Sequence, residues 1–193
     1  MSSLLLVNIV FDIINSAFLQ KGLKATIFIE STNTVFALVE ISSFLYLFKQ
    51  ILNVKFIKQL IIILWVIFLI LFFVFFLKMT EVGLTRNQIK KISYAVNIIE
   101  FLILLPLCLL YFYHLLIKEQ HKLIHLNDSP SFWIISGLFF YCSVSLPFLF
   151  IGDTFSTRSR NLYYLMGSIH YTSISLLFLC LAKAFSCKKA LTI

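Results

Sequence analysis

Three acidic side chains, and a histidine in a fourth stretch, fall inside parts of the chain that are otherwise apolar enough to cross a membrane. They are Asp12, Glu40, Glu100 and His170. A charged group at the centre of a bilayer costs roughly 2.5–3.5 kcal/mol on insertion scales, so such groups normally face the interior of a helical bundle and find a partner there. Carboxylates that meet an imidazole can hold a proton or another small ligand. We therefore expect these four residues to form a ligand- or ion-binding site.

The chemistry of this group leaves several alternatives open. It can be a proton or cation site, a pocket for a small polar ligand, or a metal site. It can also be structural only, with each interhelical hydrogen bond contributing roughly 0.6–2 kcal/mol. One histidine with carboxylates is a poor donor set for a transition metal, so we predict no metal and no cofactor.

Composition determines which elements must position these groups. Of 193 residues 61% are hydrophobic and 12% are charged, and the mean hydropathy is +0.99. A soluble domain with these values would expose apolar surface over most of its area. At about 20 apolar residues per bilayer crossing, the sequence predicts a single all-α domain over 1–193, a polytopic integral membrane bundle of about six helices. The predicted spans are 4–19, 34–52, 60–77, 92–117, 131–151 and 161–185.

Further polar residues accompany the four ionisable ones. The stretches TVFALVEI and YAVNIIEF align on Glu40 and Glu100, which suggests parallel repeated helix pairs and places both acids at a similar depth. His170 lies at a comparable distance from the start of its span. Helical spacing predicts supporting polar faces that turn inward, comprising Asn8, Asn15, Asn97, Ser168 and Thr172. Gly167 is expected to allow close approach of a neighbouring helix.

The positive charge of the chain indicates its surroundings. Sixteen Lys and Arg against eight Asp and Glu give a net charge of +8. The basic residues lie between the apolar segments or at their edges, so we expect contact with anionic lipid headgroups and no binding to nucleic acid. The sixteen divide eight to eight between the two sides, and the positive-inside rule therefore does not orient the chain.

Motifs for catalysis are not visible in the sequence. It contains no nucleophile elbow, phosphate-binding loop or hydrolase motif, and we predict that the protein is not an enzyme. Two structural signals are clearer. Asp128-Ser129-Pro130 predicts the start of a helix, and the wholly apolar segment IIILWVIFLILFFVFFL predicts a lipid-exposed one.

Three segments resemble a known family. DSPSFWIISGLFFYCSVSLPFLFIG from Asp128, TVFALVEISSFLYLF around Glu40 and GSIHYTSISLLFL around His170 are similar to the membrane-embedded sensor region of bacterial two-component histidine kinases, which also occurs free-standing. The resemblance extends over about 4–183. In that family about seven helices precede a kinase core. This sequence lacks counterparts of the first helix and of the kinase, so no phosphotransfer function is carried over.

The resemblance implies a sensing or coupling module in the bacterial inner membrane, with cytoplasmic termini. Glu40, Glu100 and His170 match its intramembrane polar positions. A sensor without an output domain is expected to act through a second membrane or output protein, or as a homo-oligomer. Two other functions stay open: a small oligomeric membrane effector or pore of a phage-defence system, and a small proton- or ion-coupled carrier. A carrier usually has more glycine in its spans than the five of this whole chain.

Overall fold

The structure, a computed structural model, describes residues 22–52, 54–79, 84–118, 128–158 and 160–187. Five α-helices make up this part of the chain, and it contains no strand. They are α1 (Gly22–Ile51), α2 (Lys55–Met79), α3 (Arg86–Lys118), α4 (Pro130–Arg158) and α5 (Arg160–Ser186). All five are long and apolar enough to cross a membrane. The prediction of an all-α fold is confirmed for the described residues, and their five helices are suited to the predicted multi-pass arrangement. The span 4–19 lies outside the described residues, and the count of six stays a prediction.

Contacts divide the chain into two compact units. The described residues of the first unit are 22–39, 69–79 and 84–97. Those of the second are 40–52, 54–68, 98–118, 128–158 and 160–187, which include all of α4 and α5. The candidate site described below lies within the second unit.

Two helices begin well before the spans that hydropathy predicts. α1 begins at Gly22 rather than at residue 34, because its first turns carry polar groups that lower hydropathy without breaking a helix. α3 begins at Arg86 rather than at residue 92. There the Thr85 backbone N–H donates to the Gln88 side-chain oxygen at 2.8 Å, and the Gln88 N–H donates to Thr85 Oγ1 at 3.4 Å. This reciprocal pair is a capping box, which satisfies backbone donors at the helix start.

The other predicted features agree with the helices. α4 begins at Pro130, as the preceding Asp128 and Ser129 predict. Most of the apolar segment 61–77 in α2 faces outward, as predicted, while Ile61, Phe68 and Phe72 are buried. Its exposed large apolar residues are Ile62, Ile63, Trp65, Val66, Ile67, Ile70, Phe73, Val74 and Leu77.

Helices α4 and α5 pack closely against each other, and a glycine allows the approach. A Cβ atom placed on Gly137 of α4 would lie 2.7 Å from the Cβ of Cys180 on α5 and 3.2 Å from Leu177 Cδ1. By contrast, nothing lies within 4 Å of a Cβ on Gly167. The expectation that Gly167 provides the close approach is therefore wrong, and Gly137 has that role.

Gly137→Ala is expected to destabilise the protein by about 1–3 kcal/mol, because the new methyl group forces α4 away from α5. The matched control is Gly167→Ala, which places the same methyl group in open space and removes a helix-interior glycine. We expect that control to be neutral or to stabilise by up to about 1 kcal/mol. Unfolding by SDS in mixed micelles measures both changes. Equal effects of the two substitutions would contradict the assignment of the contact to Gly137.

Aromatic side chains fill the interface between α3 and α4. The ring of Phe112 meets Phe139 edge-on at 5.7 Å and Phe132 at 6.5 Å between centroids. At the neighbouring end of α5, Lys183 Nζ lies 6.0 Å from the centre of the Trp133 ring, a cation–π geometry typical of a membrane interface. These contacts link α3, α4 and α5 and so determine where the polar residues of each helix lie.

Candidate functional site: an intramembrane carboxyl pair

Two glutamates from different helices lie within electrostatic range of each other in the second unit. Glu100 on α3 is 2% exposed, because it shares a helix face with Leu104 and Leu107, which are also buried. Glu40 on α1 is half-buried. The two carboxyl groups are close enough to interact electrostatically. The structure thus places Glu40 and Glu100 within electrostatic range of each other, and their role as a binding site stays a prediction.

Glu100 is the residue whose surroundings most need explanation. Its Oε1 is buried and has no hydrogen-bond partner among the described residues. The charged group that acts on it is the Glu40 carboxyl. Leaving a buried polar atom without a partner costs about 1–3 kcal/mol. Native structures keep few such atoms, and those they keep call for an explanation such as a functional role.

Tyr141 of α4 lies beside this pair. Its ring meets Phe101, the residue after Glu100, edge-on at 5.3 Å between centroids. The Tyr141 side chain is also within electrostatic range of both carboxyl groups. Next to it in the chain, Cys142 is buried and lies within range of the same two groups. The pair is thus bounded on the α4 side by a phenol and a thiol.

His170 of α5 contacts α4 rather than the carboxyl groups. Its Nδ1 lies 3.0 Å from Ser145 Oγ, and its ring stacks on Phe148 with centroids 5.0 Å apart and planes 10° apart. The Tyr141 ring lies 6.0 Å away. Tyr141 is therefore a neighbour of both His170 and the carboxyl pair. His170 itself lies beside Tyr141 and is not part of the pair.

The supporting face predicted on α5 is wrong. Ser168 and Thr172 are exposed, and each donates its hydroxyl to a backbone carbonyl one turn earlier, at 3.0 Å and 2.8 Å. Such bonds within the helix let a hydroxyl face outward without an unsatisfied donor. The buried face is instead the one that carries His170 and Ser173. Ser173 is 3% exposed and donates to the His170 carbonyl at 2.7 Å.

The structure describes one of the four remaining predicted site residues. Asn97 is half-buried on α3, one turn before Glu100. Asp12, with Asn8 and Asn15, lies outside the described residues, and its placement with the pair stays a prediction.

Several polar residues of the interior were not predicted from the sequence, among them Tyr141, Ser145 and Glu30. Tyr141 and Ser145 look like ordinary membrane-helix residues, although their spacing of four puts them on one face of α4. Glu30 is 8% exposed and precedes the start of the predicted span 34–52. Its carbonyl accepts a hydrogen bond from Thr34 Oγ1 at 2.7 Å. The spacing of four between Glu30 and the buried Thr34 is the signal that could have identified it.

The Ser145–His170 bond allows a direct measurement of how strongly α4 and α5 are linked. In a double-mutant cycle with Ser145→Ala and His170→Phe, we expect a coupling energy of about 0.5–2 kcal/mol, because each single change removes the same bond. Ser168→Ala is the matched control, since its hydroxyl bonds within its own helix. That control should show no coupling to His170→Phe in the same unfolding assay. A coupling energy of zero for Ser145 would mean that the bond adds nothing to helix association.

The role of the site is not identified by a metal centre in the described residues or by similarity to a known protein. Within the described ranges, no group of three or more His, Cys, Asp or Glu side chains is arranged to hold a metal ion. Comparisons with protein-family models, curated proteins and solved structures gave no match. The function is therefore argued from the residues and their geometry.

Proposed function

We propose that the protein is a non-enzymatic integral membrane module that senses or couples through the Glu40–Glu100 pair. The observation that carries this proposal is the buried Glu100 Oε1 without a hydrogen-bond partner in the described residues. A group with only a structural role would be expected to have a partner across the helices. A carboxyl pair with an unsatisfied atom is suited to bind a positively charged ligand and to release it.

Binding at the pair changes the force between α1 and α3. Two ionised carboxyl groups in surroundings of low dielectric constant repel each other, and a bound positive charge removes this repulsion. Because Glu40 and Glu100 belong to different helices, the ligand stabilises a packing in which the helices approach each other. A ligand shifts a conformational equilibrium by its difference in affinity for the two states.

Tyr141 and His170 extend the change to α4 and α5. Tyr141 contacts Phe101 beside the pair, and His170 contacts Tyr141 as well as Ser145 and Phe148. A displacement of α3 therefore alters contacts that hold α4 against α5. Bistable packing of this kind amplifies a local charge change.

In this proposal the protein lies in the bacterial inner membrane, with six spans and cytoplasmic termini, as the similarity to sensor regions implies. The change in packing is passed to a second membrane or output protein, or to another copy of the chain. Basic residues at the helix ends hold the module against anionic headgroups.

A native tryptophan provides a reporter for the packing of α1. Trp65 on α2 donates its Nε1–H to Ser42 Oγ at 3.0 Å, and Ser42 follows Glu40 by two residues. A movement of α1 alters this bond and the environment of the indole. The chain has two tryptophans, so replacing Trp133 with Phe leaves Trp65 as the single emitter.

The test uses the full chain with Trp133→Phe in lipid vesicles. Trp65 emission and oligomeric state are followed while pH and salt are changed. We expect Glu40→Gln and Glu100→Gln to remove the response of both readouts. Glu30→Gln, which makes the same chemical change on α1 outside the pair, should respond like the parent. The proposal is contradicted if Glu40→Gln and Glu100→Gln both keep the response. It is also contradicted if Glu30→Gln loses the response as they do. Dye leakage from vesicles that needs neither glutamate would favour the membrane-effector alternative instead.

A further inference from the structure

We propose that the ligand of the Glu40–Glu100 pair is a single proton, held by the two carboxyl groups together. This inference rests on the proposed function, since it names the ligand of the same site. It goes further by excluding metal cations and by fixing the number of protons bound.

Glu100 needs a hydrogen-bond donor, and a proton supplies one. An ionised carboxylate only accepts hydrogen bonds, whereas a protonated carboxyl group also donates one. Glu100 Oε1 has no donor among the described residues, and the polar group of another helix that acts on it most strongly is itself a carboxyl. One proton turns two acceptors into a donor and an acceptor. It also halves the negative charge of the pair.

Among the described residues, the side chains known to border the pair offer too few ligands for anything larger than a proton. Calcium takes six to eight oxygen ligands, and magnesium requires an octahedral set. The residues that border the pair from α4 are Tyr141 and Cys142, and Phe101 follows Glu100 on α3. These side chains supply a phenol, a thiol and an apolar ring, and they do not complete an oxygen shell. A proton requires no coordination shell.

Of the titratable groups around the pair, the two carboxyl groups are the ones that carry the negative charge. On α1 the titratable neighbour of Glu100 is Glu40. On α4 the neighbours are Tyr141 and Cys142, and Cys108 of α3 lies near Cys142. From α5, His170 contacts Tyr141 and the Ser145 hydroxyl. The charged neighbour that acts on Glu100 is thus a second carboxyl group and not a Lys or Arg.

The net charge of the pair predicts how its Gln variants behave. A pair that holds one proton has a net charge of −1. A Gln beside an ionised Glu also has a net charge of −1, and the amide supplies the N–H donor. Each single Gln variant therefore imitates the proton-bound state. A metal-binding pair would instead lose its ligand when either carboxyl group is removed.

The experiment titrates the full chain with Trp133→Phe in vesicles, following Trp65 emission together with the infrared carbonyl band of a protonated carboxyl group. We expect one proton per chain, a Hill slope of one, and a midpoint that does not change with Na⁺, K⁺ or Mg²⁺ at constant ionic strength. Above the midpoint, Glu40→Gln and Glu100→Gln should show the emission of the proton-bound parent. Glu30→Gln should titrate like the parent.

The outcomes separate this inference from the proposed function. Three results would contradict a single bound proton while leaving the sensing function intact. They are a midpoint that moves with Na⁺ or Mg²⁺, a Hill slope of two, and Gln variants that show the emission of the proton-free parent. A carboxyl band that titrates while Trp65 emission and oligomeric state stay constant supports the proton and contradicts the sensing function.

Discussion

At a pH above the midpoint of the response, where the pair holds no proton, Glu100→Met is expected to make the protein more stable by about 1–3 kcal/mol while removing its response to pH. The gain arises because Glu100 is 2% exposed and its Oε1 has no partner in the described residues. An unsatisfied buried polar atom costs about that much. Replacement of buried charged groups by apolar residues of similar volume is often neutral or stabilising by about 1–4 kcal/mol. Methionine has a similar length and adapts well to an irregular space.

SDS unfolding in mixed micelles measures the stability, and Trp65 emission measures the response. Leu104→Met is the matched control, because Leu104 is fully buried one turn further along the same face of α3. A volume-conserving apolar exchange there costs less than about 1.5 kcal/mol and should leave the response unchanged. If Glu100→Met instead destabilises the protein by the roughly 0.6–2 kcal/mol of an interhelical hydrogen bond, Glu100 is structural and the pair has no ligand.

This expectation follows from a general relation between stability and function. A binding site that must release its ligand cannot satisfy all its polar groups internally. The hydroxyls of Ser168 and Thr172 illustrate the opposite case, since both are satisfied by their own backbone. The one buried oxygen left unsatisfied in the described residues belongs to Glu100, and polar interiors of this kind in membranes commonly mark ion or proton sites.

Hydropathy was sufficient to predict the fold class and the approximate positions of α2, α4 and α5. It placed the start of α1 at residue 34 because the preceding turns carry polar groups, and a hydropathy scale detects the hydrocarbon slab rather than the helix. The start of α3 could have been predicted from Thr85-Arg86-Asn87-Gln88, whose first and last residues are those of a capping box. Local signals thus carry information that the apolar pattern lacks.

The carboxyl pair was predictable because a charge in an apolar helix has few places to lie. The polar face of α5 that turns inward was not predictable from the sequence. Ser168 and Thr172 have the same helical spacing as an inward face, yet a hydroxyl can bond to its own helix and face outward at little cost. His170 and Tyr141 are positioned by ring contacts between α4 and α5, which depend on the register of the two helices. The close contact at Gly137 is part of that register, and one sequence alone does not show which glycine makes such a contact.

Tyr141→Ala is expected to cost about 3 kcal/mol and to abolish the Trp65 response, whereas Tyr141→Phe should preserve both. The Tyr141 ring touches Phe101 at 5.3 Å and lies 6.0 Å from His170, so truncation removes the contacts that join α3, α4 and α5. Loss of a large buried side chain costs about 2–5 kcal/mol, and the half-buried Tyr141 falls in the lower part of that range.

Tyr141→Phe distinguishes the ring from its hydroxyl. Phenylalanine keeps the edge-on contact with Phe101, and we expect the unfolding free energy to change by less than about 1 kcal/mol because the ring makes the packing contacts. We therefore expect a pH response of normal amplitude in this variant, recorded at a temperature where the Ala variant is still folded. A Phe variant that is stable but as unresponsive as the Ala variant would show that the phenol itself acts on the carboxyl pair. In that case Tyr141 would belong to the binding site, and coupling to His170 would have to run through its hydroxyl.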